Sequence, residues 1–215
     1  MTTRPSRPRQ LRSQRTEQRI LDAFEALLAE GGVEGLRMDA LAERAHVSVG
    51  AIYKHFEGKA SLLPRVLDRL HDEQLLRWRA FVAEPGRQQA GLADRVDATL
   101  AVFADAQRER QRTIRALVVG HAGLAEPDAA AHARATEMIG AIHGWLAERS
   151  DEIRHPEPTL ALSIGLFAAL QAIQTALLFE RLPPALEPDR FVAEIARMFR
   201  RHLGVDRQAD SAKAR

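Results

Sequence analysis

Residues 38–63, MDALAERAHVSVGAIYKHFEGKASLL, leave little freedom in how the chain around them folds. Met38, Leu41, Ala42 and Ala45 fall at helical spacing, so 38–45 reads as a short amphipathic helix. His46-Val47-Ser48 breaks that spacing and reads as a turn, with Ser48 placed to cap the helix after it. In 49–56 the apolar Ile52 and Phe56 lie four apart and turn inward. At about 100° per residue, Gly50, Ala51, Tyr53 and Lys54 then face away from the core. Small residues at 50 and 51 permit close approach of another molecule, and Tyr53, Lys54 and His55 carry donors that reach phosphate or base edges. Two short helices across a tight turn, the second outward-facing and rich in donors, form the layout that enters a DNA major groove.

The segment resembles the DNA-binding end of the TetR family of bacterial transcriptional regulators. The likeness rests on Ala45-His46-Val47-Ser48 in the turn, Ile52-Tyr53-Lys54-His55-Phe56 in the second helix, and Lys59 opening the next. It extends back through Gly32-Val33-Glu34-Gly35-Leu36 to Ile20-Leu21-Asp22-Ala23-Phe24. The resemblance implies a DNA-contacting set of Arg37, Ser48, Val49, Gly50, Ala51, Tyr53, Lys54, His55 and Lys59, with double-stranded operator DNA as the partner. Two positions depart from the family pattern. His46 stands where glycine is usual, which carries a cost if the backbone there is left-handed. Val49 stands where a polar or basic residue is common, so contacts there are expected to be apolar.

On the N-terminal side, residues 1–12 carry Arg4, Arg7, Arg9 and Arg12 with no acid among them. Pro5 and Pro8 disfavour a helix, so this stretch reads as a disordered basic arm able to follow phosphates. The first helix is expected to start at Ser13 or Thr16, bury Ile20, Phe24, Leu27 and Leu28, and end at Gly31-Gly32. A further helix runs from Lys59 to about Ala83, bent at Pro64, and Glu84-Pro85-Gly86 reads as a loop.

Beyond residue 86 the chain becomes a series of amphipathic helices. Arginine supplies all but three of its 31 basic residues, and the net charge is only +2, so the basic patches are local. Sparse aromatics and no β-branched alternation argue for an all-α protein. The absence of cysteine excludes disulfides, thiolate metal sites and cysteine nucleophiles. No apolar segment of signal-peptide type opens the chain, so none is expected. His121, His132 and His143 are spaced by eleven, but His132 and His143 lie about 16 Å apart along one helix, too far to share an ion. Neither a phosphate loop nor a nucleophile elbow is present. No metal, cofactor or catalytic residue is therefore expected.

Residues 158–179, PTLALSIGLFAALQAIQTALLF, hold no charge and are long enough to raise a membrane span. Ser163, Gln171, Gln174 and Thr175 dilute the stretch and no second span accompanies it, so a helix buried on both sides is the reading adopted. In the resembled family the last two long helices form a four-helix interface with a second subunit. That implies a homodimer through Leu170, Leu177, Phe191, Ile195 and Phe199. Phe103, Leu117, His121, Met138, Ile142, Trp145 and Phe167 come from four successive helices and are the expected lining of an effector cavity.

The expected architecture is all-α. An N-terminal three-helix helix-turn-helix domain spans 13–58, a larger helical ligand-binding and dimerisation domain spans 59–203, and 204–215 is a disordered tail. The expected function is a cytoplasmic DNA-binding transcriptional repressor, released from a palindromic operator by a hydrophobic small molecule, and not an enzyme. Repression and ligand control follow from the resemblance alone. The alternatives are an activator or metal-dependent sensor within regulators, and a helical enzyme or lipid-carrying protein outside them. The last would leave Tyr53-Lys54-His55 and the basic arm unexplained.

Overall fold

A computed structural model describes residues 7–33, 35–121, 129–182 and 186–205, and no strand occurs among them. α1 (Arg7–Gly31) starts earlier than the sequence suggests, so residues 7–12 of the expected disordered arm are helical. The reason is position. Pro8 lies in the first turn, where its missing N–H is one of the donors a helix leaves unpaired anyway. Residues 1–6 of that arm lie outside the described residues. α1 ends where Gly32 takes φ +68 and donates its N–H to Leu28 O at 2.9 Å.

α2 (Met38–Arg44) and α3 (Val49–His55) follow. The turn between them contains His46 at φ +53, in the left-handed region. Its N–H reaches Glu43 O at 3.1 Å, and Val47 N–H reaches Ala42 O at 3.0 Å. This pair of bonds closes a helix through a left-handed residue, usually glycine. The histidine at the family's glycine position therefore adopts the glycine backbone. Ser48 then caps α3, its Oγ accepting Ala51 N–H at 3.1 Å.

α4 (Lys59–Ala83) is continuous through Pro64. α5 (Pro85–Gln88) is a single helical turn in place of the expected loop. α6 (Leu92–Glu109), α7 (Gln111–His121), α8 (Ala129–Ala147), a 3₁₀ turn (Ser150–Glu152), α9 (Pro158–Leu178) and α10 (Pro188–Leu203) complete the chain.

The chain divides into two compact units: residues 1–70 with 112–132, and residues 71–111 with 133–215. This differs from the 58/59 boundary read from the sequence. The first twelve residues of α4 and nearly all of α7 join the helix-turn-helix, because their apolar faces bury in its core. In that unit Ile20, Phe24, Leu28, Leu41, Ile52, Leu62 and Val66 pack together with Leu117.

In the other unit α6, α9 and α10 pack on one another. Leu92, Val96, Leu100, Leu162, Leu166, Ile173, Phe199 and Leu203 make the core there. α9 is the one helix among the described residues long and apolar enough to cross a membrane. Its buried side instead meets α6 and α10. Val205, read as part of the tail, is buried in the same core, and residues 206–215 lie outside the described residues. Arg95 of α6 is also interior, only 2% exposed. It donates to the carbonyls of Gln88, Ala90 and Trp145 and to Glu148, so its charge is paired and its donors are used.

Candidate nucleic-acid interface and effector cavity

In the first unit, Ile52 and Phe56 anchor α3 from below, which fixes the face turned outward. On that face Ser48, Val49, Gly50, Tyr53 and Lys54 are exposed, Tyr53 to 55%. Ala51 and His55 are half-buried, and the His55 ring lies 6.3 Å from that of Phe56. The Ser48 oxygen accepts the Ala51 N–H, which leaves its hydroxyl proton for an outside acceptor. Lys59, half-buried, is the first residue of α4. The unpaired N–H groups of that helix start favour an anion.

Arg37 is exposed, but its guanidinium holds Asp39, Nε to Oδ1 at 3.0 Å and Nη2 to Oδ2 at 2.5 Å. This hydrogen-bonded pair, with Ala40 N–H donating to Asp39, lowers the Asp39 carboxyl from 3.8 to about 2. The same partner raises the Arg37 guanidinium. Any phosphate approaching Arg37 must therefore compete with Asp39, a pairing not legible from residue order alone. Arg12, Arg15 and Arg19 of α1 recur at a spacing that puts them on one strip, and all three are exposed.

The second unit holds a cavity of about 70 Å³. α4 lends Gln74, Arg77 and Trp78; α6 lends Thr99, Val102, Phe103, Ala106 and Gln107; α8 lends Met138 and Ile142. Of the residues expected to line a cavity, Phe103, Met138 and Ile142 come together there. Trp145 does not line it. Its ring packs edge-on against Trp78 at 5.4 Å and is buried in the adjoining core. Leu117 belongs to the core of the first unit, so it is removed from the lining. Phe167 is also removed, being 60% exposed on the outer side of α9. The His121 side chain lies outside the described residues. Sequence reasoning missed Thr99 and Gln107, although both fall on the α6 stripe four residues either side of Phe103. His143 is half-buried, with its Nε2 3.1 Å from Ser163 Oγ.

Three of the expected interface residues turn inward. Leu170, Leu177 and Phe199 are 6%, 6% and 4% exposed in the single chain, because they fill the α6–α9–α10 core. Phe191 and Ile195 are half-buried. The apolar side chains left outside on α9 and α10 are Leu160, Ile164, Phe167 and Met198.

Residues 20–66 match the family model described as bacterial regulatory proteins, tetR family. Over 51 residues the chain is 51% identical to the HTH-type transcriptional repressor KstR of Rhodococcus jostii, covering 24% of each protein. Over 60 residues it is 40% identical to the HTH-type transcriptional regulator TtgR of Pseudomonas putida, covering 28% of this chain and 29% of the relative. The chain thus matches about a quarter of the length of these curated relatives. The fold as a whole is similar to a tetR-family transcriptional regulator from Streptomyces coelicolor, with a TM-score of 0.66, 19% identity, and coverage of 88% of this chain and 80% of that one. It is also similar to the fatty acid degradation regulator FadR from Bacillus halodurans, with a TM-score of 0.62, 13% identity, and coverage of 86% and 94%. At these identities the likeness speaks for the fold.

Proposed function

Because the helix-turn-helix over residues 20–66 is that of the TetR family of bacterial regulatory proteins, we propose that this protein is a cytoplasmic transcriptional repressor. It binds a palindromic operator as a homodimer and leaves it when a small, mostly apolar molecule occupies the second unit. The observation that carries the DNA reading is the outward face of α3. Its donors Ser48, Tyr53 and Lys54 stand exposed beside Val49 and Gly50, with Lys59 at the next helix start. Tyr53 and Lys59 act through phosphates, and Val49 offers an apolar surface to a base such as a thymine methyl. The matched relatives are transcriptional regulators, which supports this reading over an enzyme or lipid carrier.

Two further features support the assembly. A two-fold dimer presents two recognition helices to half-sites about one DNA turn apart. The exposed apolar residues of α9 and α10 are the surface such a dimer buries, and they replace the inward-turned Leu170, Leu177 and Phe199 in that role. Ligand control rests on the cavity lined by Phe103, Met138 and Ile142. Near-complete release requires the ligand to favour the non-binding form by about ten-thousand-fold.

The test is titration of the protein against DNA from upstream of its own gene at several salt concentrations. Sequence-selective binding with a steep salt dependence is expected, and Lys59→Ala should lower the slope by about one per subunit. Binding indifferent to sequence would overturn the repressor reading, and an unchanged slope would remove Lys59 from the interface.

A further inference from the structure

One polar atom of the α4–α6–α8 cavity is left without a partner, and it points to what the cavity binds. Gln107 is 5% exposed, and its Oε1 is buried with no hydrogen-bond partner. Such an atom has lost water without replacement, at a cost a native core rarely tolerates unless the atom has a use. Gln107 lines the cavity. Thr99, 1% exposed, lines it one turn beyond Phe103 on the same helix. Its hydroxyl proton is already given to Arg95 O at 2.7 Å, so toward the cavity it also offers only lone pairs. The one charged side chain on the lining, Arg77, is engaged by Glu109 at 2.6 Å, and both are more than half exposed. Gln74 and Trp78 bring N–H groups to the same lining, but the buried atom left unsatisfied there is the acceptor Gln107 Oε1, and the lining holds no unpaired cation. Around them stand Trp78, Val102, Phe103, Met138 and Ile142.

We infer that the cavity's ligand is a neutral, largely apolar molecule that donates one hydroxyl or N–H hydrogen to Gln107 Oε1. This deepens the effector reading above and rests on it. A carboxylate would be desolvated with no free cation to pair it and would bring no hydrogen to Oε1; a hydrocarbon would enter but leave Oε1 unpaired. At about 70 Å³ the cavity is smaller than the roughly 150 Å³ void that accepts benzene. A ring-sized ligand thus requires a lining side chain to yield, and Met138, unbranched and half-exposed, is the one suited to do so.

The experiment compares phenol, toluene and benzoate as probes of the full chain, by calorimetry and by the fluorescence of Trp78 in a Trp145→Phe background. Phenol and toluene match in shape and differ in the donor. Phenol should bind about tenfold more tightly than toluene, the worth of one hydrogen bond to a buried acceptor, and benzoate most weakly. Gln107→Leu keeps the volume and removes the acceptor, so the preference for phenol should vanish or reverse. Thr99→Val should leave it in place. Equal binding of phenol and toluene by the unaltered side chain, tighter binding of benzoate, or a preference that survives in Gln107→Leu would overturn the inference while leaving the cavity an effector site. Failure of all three probes to bind, with Trp78 unperturbed, would remove the effector cavity and this inference together. The comparison in the chain with Gln107 intact stands even if Gln107→Leu does not fold.

Discussion

Replacing Gly165 by alanine tests how closely α9 and α10 approach. A Cβ built at Gly165 lies 2.3 Å from Cε2 and 2.5 Å from Cδ2 of Phe199, and 3.2 Å from Cδ2 of His202. Carbon atoms in contact prefer about 3.5–4.0 Å, so the ring must move by about 1 Å or the helices must part. Phe199 is 4% exposed and packed on all sides, so its ring has nowhere to go without disturbing the core. Overpacking of this kind costs about 1–3 kcal/mol. Against it stands the gain of about 1 kcal/mol from removing glycine inside a helix. Gly144, in the interior of α8, supplies the control, since a Cβ there meets nothing within 4 Å. Gly144→Ala receives the same helical gain with no clash and should stabilise by about 0.5–1 kcal/mol. The propensity term cancels between the two variants, leaving a difference of about 1–3 kcal/mol that belongs to the α9–α10 contact. For a chain of this size that is a gap of several degrees in Tm, at about 2–4 °C per kcal/mol. Denaturant unfolding at one fixed protein concentration reads it, since an assembly's stability depends on concentration. Gly165→Ala as stable as Gly144→Ala would refute the reasoning.

Other expectations are quicker to state. Phe167→Arg or Met198→Arg should give a folded monomer, since both side chains are exposed in the single chain, whereas Leu177→Arg should unfold it; sedimentation of the first two as dimers would remove the proposed interface. The Asp39 carboxyl, lowered to about 2 mainly by its hydrogen bond from Arg37, contributes stability that is present above its ordinary value of 3.8 and lost as pH falls toward 2. A titration midpoint near 4 for this carboxyl, followed by NMR, would show the pair to be open in solution. Asp39→Asn should free Arg37 for phosphate, raising operator affinity and steepening the salt dependence by about one per subunit, and weaker binding would count against Arg37 as a contact.

The helix-turn-helix was readable because each of its parts leaves a local mark. Ile52 and Phe56 mark the inward face of α3, Ser48 marks its start, and Gly32 marks the end of α1. The start of α1 was misread because Pro8 signals a break in mid-helix but not in a first turn. The fate of Leu117 was unreadable for a different reason. Periodicity tells which side of α7 is apolar, not which of two cores that side will meet. On α9 even the side is hidden. With no charge from Thr159 to Phe179, nothing in the sequence distinguishes the stripe of Leu162, Leu166 and Ile173 from that of Leu160, Ile164 and Phe167. The assignment of Phe167 to a cavity and of Leu177 to an interface exchanged one stripe for the other. Gln107 was passed over because glutamine on an amphipathic helix is ordinarily a surface residue, and only its burial reveals otherwise.

The chain passes between its two compact units within α4, between Gln111 and Arg112, and between His132 and Ala133, so neither unit is one unbroken stretch of polypeptide. A recombinant fragment ending at Leu70 would lack Leu117, whose burial in the core beside Leu62 and Val66 is worth about 1.5–3 kcal/mol. Grafting the first unit onto another protein's second unit is accordingly a two-segment transplant. A chimaera that carries 1–70 alone should melt well below one that carries 1–70 and 112–132 together, and equal melting would show the second segment to be dispensable. The same threading would oblige any natural exchange of the first unit between related genes to cut in three places rather than one.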